Sequence, residues 1–177
     1  MKHLYLFPLL ILTIISTKIH SQSLSIEEKK LYDLIMDYRK QNGLPVINLS
    51  KSLTFVAQTH VYDLGKNNPD QGICNLHSWS SNGNWKPCCY TNDHKQAKLM
   101  WSKPSELTNY TGNGYEIAYK SSDEATAKGA INAWKSSTGH NDVILNQNIW
   151  SSNAWRSIGI GIYNNYAVVW FGKENDY

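Results

Sequence analysis

Several features that define large protein classes are scarce or missing in this sequence. Basic residues do not form a run, which argues against nucleic acid as a partner. No long apolar stretch follows residue 15, so the rest of the chain has no predicted transmembrane span. The Gly-x-Ser-x-Gly signature of many serine hydrolases is absent as well. What remains is a chain of 177 residues, which is long enough for one domain with a core of its own.

The N-terminus has the pattern of a secretion signal. Lys2 begins it, an apolar run covers residues 4–15, and small or polar residues follow as far as Ser21. The apolar run is shorter than the roughly 20 residues that a membrane span needs. We therefore expect residues 1–21 to be a signal peptide and residues 22–177 to form one secreted domain, extracellular or periplasmic. A retained N-terminal anchor is the alternative.

Charge and aromatic content describe the expected mature chain. Loss of the signal peptide would remove Lys2 and Lys18, which leaves 15 of the 17 basic residues against 14 acidic ones. The secreted chain would then be nearly neutral. Seven tryptophans and eleven tyrosines predict a well-packed core and an aromatic-lined surface.

The three cysteines predict one disulfide in an exported chain. Cys74 is expected to pair with either Cys88 or Cys89, because adjacent cysteines form strained bridges. The remaining thiol is then buried or paired with another molecule. Zinc held by the three thiols and His77 is disfavoured, since no Cys-x-x-Cys pair is present and export favours oxidation.

Two long helices are predicted in the first third of the mature chain. Ser25 and Glu28 have the spacing of a capping box, and apolar residues then recur at helical spacing over residues 26–41. Ser50 is placed to cap a second amphipathic helix over residues 51–66.

Two further histidines, outside the predicted site, lie in predicted helices. His60 falls on the apolar stripe of the second helix, where it is either a ligand or, as we favour, a core imidazole with one hydrogen bond. His94 lies near the exposed start of a short helix predicted over residues 93–101 and stopped by Pro104. We interpret His94 as structural or solvated.

A further helix is predicted after Ser121, because Ser121 and Glu124 repeat the capping-box spacing. Gly139 is expected to end this helix, and an apolar run at residues 143–145 returns to the core. This pattern predicts that His140 lies at a helix-to-loop corner, where its imidazole faces a cleft.

The end of the chain predicts a β-hairpin. Isoleucines alternate with glycines over residues 158–162, Asn164 and Asn165 form the turn, and residues 166–171 return. Glycine in a strand permits close approach of another backbone or a ligand. Three or four helices with such a sheet predict an α+β layered domain.

One acidic residue and two histidines are candidates for a shared site. Glu116 is flanked by apolar residues, so its carboxylate is expected to be buried and to need a partner. His77 lies in a long segment, residues 65–93, that is rich in turn residues, and long ordered loops are often functional. We predict that His77, Glu116 and His140 meet in one polar cleft.

These features, in this order, resemble the CAP superfamily of cysteine-rich secretory, antigen five and pathogenesis-related proteins. The resemblance covers about residues 27–172. It rests on Tyr38-Arg39-x-x-x-Gly43-Leu44, His77-Ser78, Gly114-Tyr115-Glu116-Ile117-Ala118, Trp134-x-x-Ser137-x-Gly139-His140-x-x-x-Ile144-Leu145 and Ile158-Gly159-Ile160-Gly161. The fourth of these motifs is closest to the bacterial branch.

The resemblance implies an α-β-α sandwich, with a small antiparallel sheet ending in a hairpin and a central cleft that in many members holds two histidines and two glutamates. His77, Glu116 and His140 fill three of those places, whereas the fourth falls on Ser137. The Gly-Glu-Asn motif is also altered, because Tyr115 precedes Glu116 and Ile117 replaces Asn.

Three functional classes follow from such a cleft. The favoured one is a secreted binding or interaction module for a lipid, glycan, peptide or protein, whose His77, His140 and Glu116 hold zinc or another divalent cation. The alternative is a hydrolase in which the same three residues are the catalytic acid and base. Ser78 and Ser137 are the conceivable nucleophiles. A purely structural polar cluster is the third class.

Overall fold

The structure of this protein is a computed structural model that describes residues 23–176, so the predicted signal peptide lies outside the described residues. The helices are Ile26–Gln41 (α1), Lys51–Asn67 (α2), Ala97–Trp101 (α3), Lys103–Leu107 (α4), Ala127–Ser136 (α5) and Thr138–Leu145 (α6), with a short 3-10 helix at Asn148–Trp150. The strands are Asn48–Leu49 (β1), Gly114–Lys120 (β2), Ser157–Tyr163 (β3) and Tyr166–Gly172 (β4).

The four strands form one sheet in the order β1-β3-β4-β2. Strands β2 and β3 both pair antiparallel with β4, which occupies the interior of the sheet. The two-residue β1 adds a parallel pairing with β3. The predicted β3–β4 hairpin is confirmed, and its turn places Asn164 at a positive φ of 51°, a conformation that Asn tolerates well.

Helices cover both faces of the sheet. Alternate side chains of β4 point to opposite sides: Val169 and Phe171 join a cluster with α1, α5 and α6, whereas Val168 and Trp170 join a cluster with α2. The predicted α+β sandwich of three layers is therefore confirmed. We call the side with α1, α5 and α6 the first face, and the side with α2 the second face.

Two glycines bring α2 into contact with the sheet backbone. A Cβ atom on Gly159 would lie 2.0 Å from the carbonyl carbon of Leu53, and one on Gly161 would lie 2.4 Å from the carbonyl oxygen of Ala57. Side chains at these positions would push α2 away. The glycine pattern therefore sets the distance between α2, which carries His60, and the sheet.

Helices α1 and α2 begin where the sequence predicts. The capping box of Ser25 and Glu28 is present, and Ser50 accepts a hydrogen bond from the backbone N–H of Leu53. The short helix predicted over residues 93–101 ends at Trp101 as expected but begins only at Ala97, and Pro104 lies in the first turn of the next helix, α4. A proline is tolerated there, since the first N–H groups of a helix have no partner within it.

The predicted start at Ser121 is also wrong. Thr126 caps α5, and its Oγ1 accepts a hydrogen bond from the N–H of Gly129 at 3.1 Å. The segment before it is held by the β3–β4 turn, because the N–H of Ser121 donates to the Asn165 carbonyl and the N–H of Ala125 donates to the Asn164 carbonyl. These two bonds hold the segment in a non-helical path.

Gly139 does not end a helix. Helix α5 ends at Ser136, Ser137 is extended, and α6 begins at Thr138 with Gly139 inside it. His140 is therefore in the first turn of α6 and not at a helix-to-loop corner. The expected return to the core is confirmed, because residues 143–145 are buried.

The predicted disulfide is present and joins Cys74 to Cys89, with their Cα atoms 4.9 Å apart. Cys88 is a free, buried thiol. Its backbone pairs with that of Trp79 through two hydrogen bonds of 2.7 and 3.0 Å. Together these contacts anchor the segment that carries His77. Within residues 23–176, no helix is long and apolar enough to cross a membrane.

Candidate functional site

Glu116 lies on β2, on the face of the sheet that α2 covers. Its register partner on β4 is Trp170, whose own partner on β3 is Gly159. The side chain of Glu116 is completely buried. An ionised carboxylate in such a place needs hydrogen-bond donors or opposite charges nearby.

His60 on α2 is the direct partner of Glu116. Its Nδ1 lies 2.7 Å from Glu116 Oε1, and its Nε2 lies 2.9 Å from the backbone carbonyl oxygen of Ser78. The imidazole is fully buried and stacks on Trp79, with ring centroids 4.2 Å apart and an angle of 6° between the planes. Both nitrogens of this ring therefore face oxygen atoms.

The charges of this pair support each other. Burial opposes the negative charge of Glu116, but the attraction and hydrogen bond of His60 outweigh it, so the pKa of Glu116 is lowered. Burial likewise opposes a positive charge on His60, but the attraction of Glu116 prevails and raises the pKa of His60. We interpret the pair as a buried imidazolium and carboxylate.

His77 contacts the second oxygen of the same carboxylate. Its Nδ1 lies 3.3 Å from Glu116 Oε2, and its side chain is 21% exposed. The N–H of His77 donates to Asn75 Oδ1 at 3.0 Å, and its ring meets the ring of Tyr90 edge-on. Glu116 thus joins a fully buried imidazole on α2 to a partly exposed imidazole in the disulfide-anchored loop.

His140 has a different, local partner. Its Nδ1 lies 2.9 Å from Ser137 Oγ, one turn earlier in the chain. Burial lowers the pKa of His140, and the electrostatic influence of His77 lowers it further. Within the described residues, His140 has no hydrogen bond or ion pair with His77 or Glu116. The convergence of all three residues stays a prediction.

Sequence reasoning placed His60 on the buried face correctly but favoured a core imidazole with a single hydrogen bond. The structure gives it two, one of them to Glu116. A buried histidine and a buried glutamate each need a partner, and that shared need was the available signal. His94 also contributes unexpectedly: it lines the cleft, and its Nδ1 lies 2.9 Å from the hydroxyl of Tyr90.

The exposed side of His77 opens into a cleft of about 740 Å³. Most of its large side chains are aromatic or apolar: Tyr90, Met100, Trp101, Tyr115, Ile149 and Trp150. The Tyr115 ring lies 5.8 Å from that of Trp101 and 5.3 Å from that of Trp150. Lys173 places its Nζ 5.4 Å from the centre of the Tyr115 ring. The cleft thus combines an aromatic wall, a cation and the His77–Glu116 pair.

A larger depression, of about 1140 Å³, lies near the start of α2 and is lined partly by Lys51, Phe55 and Arg156. None of its lining residues in the described part of the chain is a histidine, and its Asp176 caps α2 by accepting a hydrogen bond from the N–H of Ser52 at 2.8 Å. The smaller cleft, which His77 and Glu116 line, is therefore the candidate functional site.

The residues predicted to bind a metal do not form a complete ligand set. Both oxygens of Glu116 accept contacts from imidazoles, and Nδ1 of His77 is directed at Glu116. Among residues 23–176, no group of three or more His, Cys, Asp or Glu side chains is arranged to hold a metal ion. The arrangement does not fit a resident metal, and the zinc expectation stays a prediction.

The two serines considered as nucleophiles differ. Ser78 is fully buried, and its Oγ accepts a hydrogen bond from the N–H of Tyr90 at 2.9 Å, so it serves the loop. Ser137 is partly exposed and contacts His140, but no carboxylate contacts that histidine in the described part of the chain. Neither of these two serines therefore belongs to a three-membered Ser-His-acid arrangement.

A comparison with family models gives a match that covers most of this chain. The model of the cysteine-rich secretory protein family (CAP) matches residues 32–171. Among solved structures, an extracellular protein containing an SCP domain from Bacillus anthracis is 18% identical with a TM-score of 0.57, over 84% of this chain and 40% of that chain. An outer surface protein from Borrelia burgdorferi is 19% identical with a TM-score of 0.56, over 88% and 98%.

A cysteine-rich secretory protein from Staphylococcus aureus is 15% identical with a TM-score of 0.52, over 84% of this chain and 38% of that chain. This chain thus spans about two fifths of the Bacillus and Staphylococcus proteins and nearly all of the Borrelia protein. Comparison with curated proteins gives no significant match. At these identities the solved structures show a shared fold.

Proposed function

This chain belongs to the cysteine-rich secretory protein (CAP) family, and we propose that it is an extracellular binding or interaction module whose ligand enters the cleft beside His77. Three observations support an extracellular place. The sequence begins with a predicted secretion signal, Cys74 and Cys89 form a disulfide, and the similar solved structures carry names that include "extracellular", "outer surface" and "secretory".

The shape and lining of the cleft carry the proposal. A volume of about 740 Å³ is in the range of small-ligand pockets, which are mostly apolar with a few polar groups that set orientation. Tyr115, Trp101 and Trp150 offer flat surfaces for an apolar or ring-shaped group. His77, whose side chain is partly exposed in the cleft, supplies a polar contact. The ligand is therefore a group with a flat apolar body and a polar edge.

An apolar fluorescent probe tests this use of the cleft. Anilinonaphthalene sulfonate combines flat rings with an anionic group that suits Lys173, and its emission rises on leaving water. We expect Trp150→Ala, which removes an aromatic wall, to weaken probe binding at least about fivefold. Tyr62→Ala is the control, because Tyr62 is an exposed aromatic outside the cleft. Equal affinities for the wild type and Trp150→Ala would contradict the proposal.

The divalent metal needs a separate test. Calorimetric titration with zinc compares the wild type with the double variant His77→Ala/His140→Ala. Metal binding at these residues predicts a heat release that the double variant lacks. Equal heat release from both proteins excludes these histidines as ligands.

A hydrolase is the second candidate, and one observation favours it. Glu116 lies 3.3 Å from Nδ1 of His77, an arrangement in which a carboxylate orients an imidazole base. The imidazole base would activate a water molecule, because the Ser78 hydroxyl is buried and already accepts a hydrogen bond from the N–H of Tyr90. Panels of ester and peptide substrates test this function. Any hydrolysis that Glu116→Gln leaves unchanged excludes Glu116 and His77 from the mechanism.

A further inference from the structure

His60 is fully buried and does not line the cleft, but its hydrogen bonds affect a residue that does. A backbone carbonyl accepts hydrogen bonds and donates none, so the contact of 2.9 Å with Ser78 requires a hydrogen on Nε2 of His60. The contact of 2.7 Å with Glu116 Oε1 pairs the other ring nitrogen with a carboxylate. With two acceptors on opposite sides, both nitrogens of His60 carry hydrogen.

This arrangement determines how Glu116 faces the cleft. Oε1 is held by His60, which fixes the plane of the carboxylate and leaves Oε2 directed at His77. An ionised carboxylate has no hydrogen to donate, so Nδ1 of His77 carries the hydrogen in the contact of 3.3 Å. In a neutral imidazole the other nitrogen, Nε2, is then an acceptor.

Nε2 of His77 is available to a ligand. Within residues 23–176 it has no hydrogen-bond partner, and the side chain is partly exposed where His77 lines the cleft. Near it stand aromatic rings, which offer no acceptor or donor of comparable strength at their faces. His77 is thus a directed acceptor in a cleft whose large side chains are mostly aromatic or apolar, although Asn75, Asn153 and Lys173 also line it.

We infer that His60 is a positioning residue, that it acts through Glu116 to present Nε2 of His77 as a hydrogen-bond acceptor, and that the natural ligand of the cleft places a hydroxyl group on this nitrogen. The ligand class is therefore a flat apolar molecule, or part of one, that bears a hydroxyl. This inference rests on the proposed function, because it assumes that the cleft binds a ligand.

The first test uses the protein alone. Two-bond proton–nitrogen NMR spectra assign the hydrogens on each imidazole nitrogen. We expect hydrogens on both nitrogens of His60 and on Nδ1 only of His77 at neutral pH. A hydrogen on Nε2 of His77, or only one hydrogen on His60, overturns the inference without touching the proposed function.

The second test compares two probes that differ only in the donor. Naphthol and methoxynaphthalene have the same rings, but methylation removes the hydroxyl hydrogen. We expect calorimetry to show naphthol binding about tenfold more tightly to the wild type, because one hydrogen bond to a desolvated acceptor is worth about that ratio. His77→Phe keeps a flat ring without an acceptor, and the ratio should fall to about one.

His94→Phe is the matched control, since the same substitution in the same cleft removes an imidazole whose Nδ1 already contacts Tyr90. It should keep the tenfold ratio. His60→Gln tests positioning: naphthol affinity should fall about threefold or more, while methoxynaphthalene affinity stays unchanged. A purely structural role for His60 would weaken both probes equally.

The outcomes separate the two proposals. Equal binding of both probes, weakened by Trp150→Ala, overturns the hydroxyl preference and leaves the binding cleft intact. No binding of either probe, with anilinonaphthalene sulfonate bound normally, also overturns the hydroxyl class. Failure of anilinonaphthalene sulfonate to depend on Trp150 overturns the proposed function itself.

Discussion

The two faces of the sheet are stabilised in different ways. On the first face, β3 and β4 present side chains such as Ile158, Ile160 and Val169 to an apolar cluster with α1, α5 and α6. The two buried charged residues of α1, Glu28 and Arg39, bond there to backbone groups of Ile162 and Ile144 and not to each other. On the second face, β3 presents glycines, α2 lies against the backbone, and a histidine and a glutamate are buried together.

The difference shows where a binding site can be built. Apolar burial stabilises a fold without requiring a particular partner, whereas a buried charge stabilises it only with its partner in place. The second face therefore depends on pairing, and the same pairing directs Glu116 towards the cleft.

Breaking the buried pair should affect the second face most. Glu116→Leu leaves His60 without its carboxylate, and losing one partner of a buried ion pair typically costs about 3–5 kcal/mol in the free energy of unfolding. Urea denaturation measures this loss. The double variant His60→Leu/Glu116→Leu should be more stable than Glu116→Leu, because no buried charge remains unpaired. Additive losses in the double variant would show that the two residues act independently.

A change in the distance between α2 and the sheet should have the next largest effect on the free energy of unfolding. Gly159→Ala places a Cβ 2.0 Å from the Leu53 carbonyl carbon, so α2 must shift, at a cost of about 3 kcal/mol in the free energy of unfolding. Gly139→Ala on α6 is the control. Its added Cβ meets nothing within 4 Å, and alanine favours a helix over glycine by up to about 1 kcal/mol.

Denaturation curves of the two glycine variants give the answer. Gly159→Ala should unfold at lower urea concentration than the wild type, and Gly139→Ala at equal or higher concentration. A loss of stability in both variants would mean that the close approach of α2 is not the cause.

The dependence of stability on pH should show a smaller effect, which also arises from the second face. The pKa of Glu116 is lowered from 4.5, so its contribution to stability is present above pH 4.5 and is lost as the pH falls through the folded-state pKa. The pKa of His60 is raised from 6.5, so its contribution is present below pH 6.5 and is lost as the pH rises through the folded-state pKa. The pair should stabilise the protein most between pH 4.5 and 6.5.

The comparison with His60→Leu/Glu116→Leu isolates this dependence, since other groups titrate as well. Burial lowers the pKa of His140 from 6.5, so His140 acts in the opposite sense in the neutral range. Urea denaturation at several pH values measures both proteins. A difference in stability between them that stays constant with pH would refute the ionised pair.

Local signals in the sequence predicted much of this fold. The α1 start depends on Ser25 and Glu28, and the hairpin on the alternation around Asn164, all within a few residues of each other. The His60–Glu116 contact joins residues 56 positions apart, and no local pattern specifies it. The apolar neighbours of each residue indicate that it needs a buried partner, but they do not identify that partner.

The smallest expected effect on stability concerns the first face. Two residues before α5 could cap this helix, and only one of them does so. Thr126 and Ser121 both precede α5, but only Thr126 accepts a hydrogen bond from the helix, at the N–H of Gly129. Thr126→Ala should therefore cost about 1 kcal/mol in the free energy of unfolding. Ser121→Ala should change it by less than about 0.5 kcal/mol, because Ser121 Oγ is exposed and the ties of this residue to Asn165 use its backbone.

Thermal or urea unfolding distinguishes the two sites, and the sign of the difference matters more than its size. A larger loss from Ser121→Ala would mean that α5 begins earlier than the structure shows, in agreement with the capping-box spacing. A larger loss from Thr126→Ala places the helix start where the β3–β4 turn allows it. The start of α5 on the first face would then also depend on tertiary structure, because two backbone hydrogen bonds hold residues 121–125 against the hairpin.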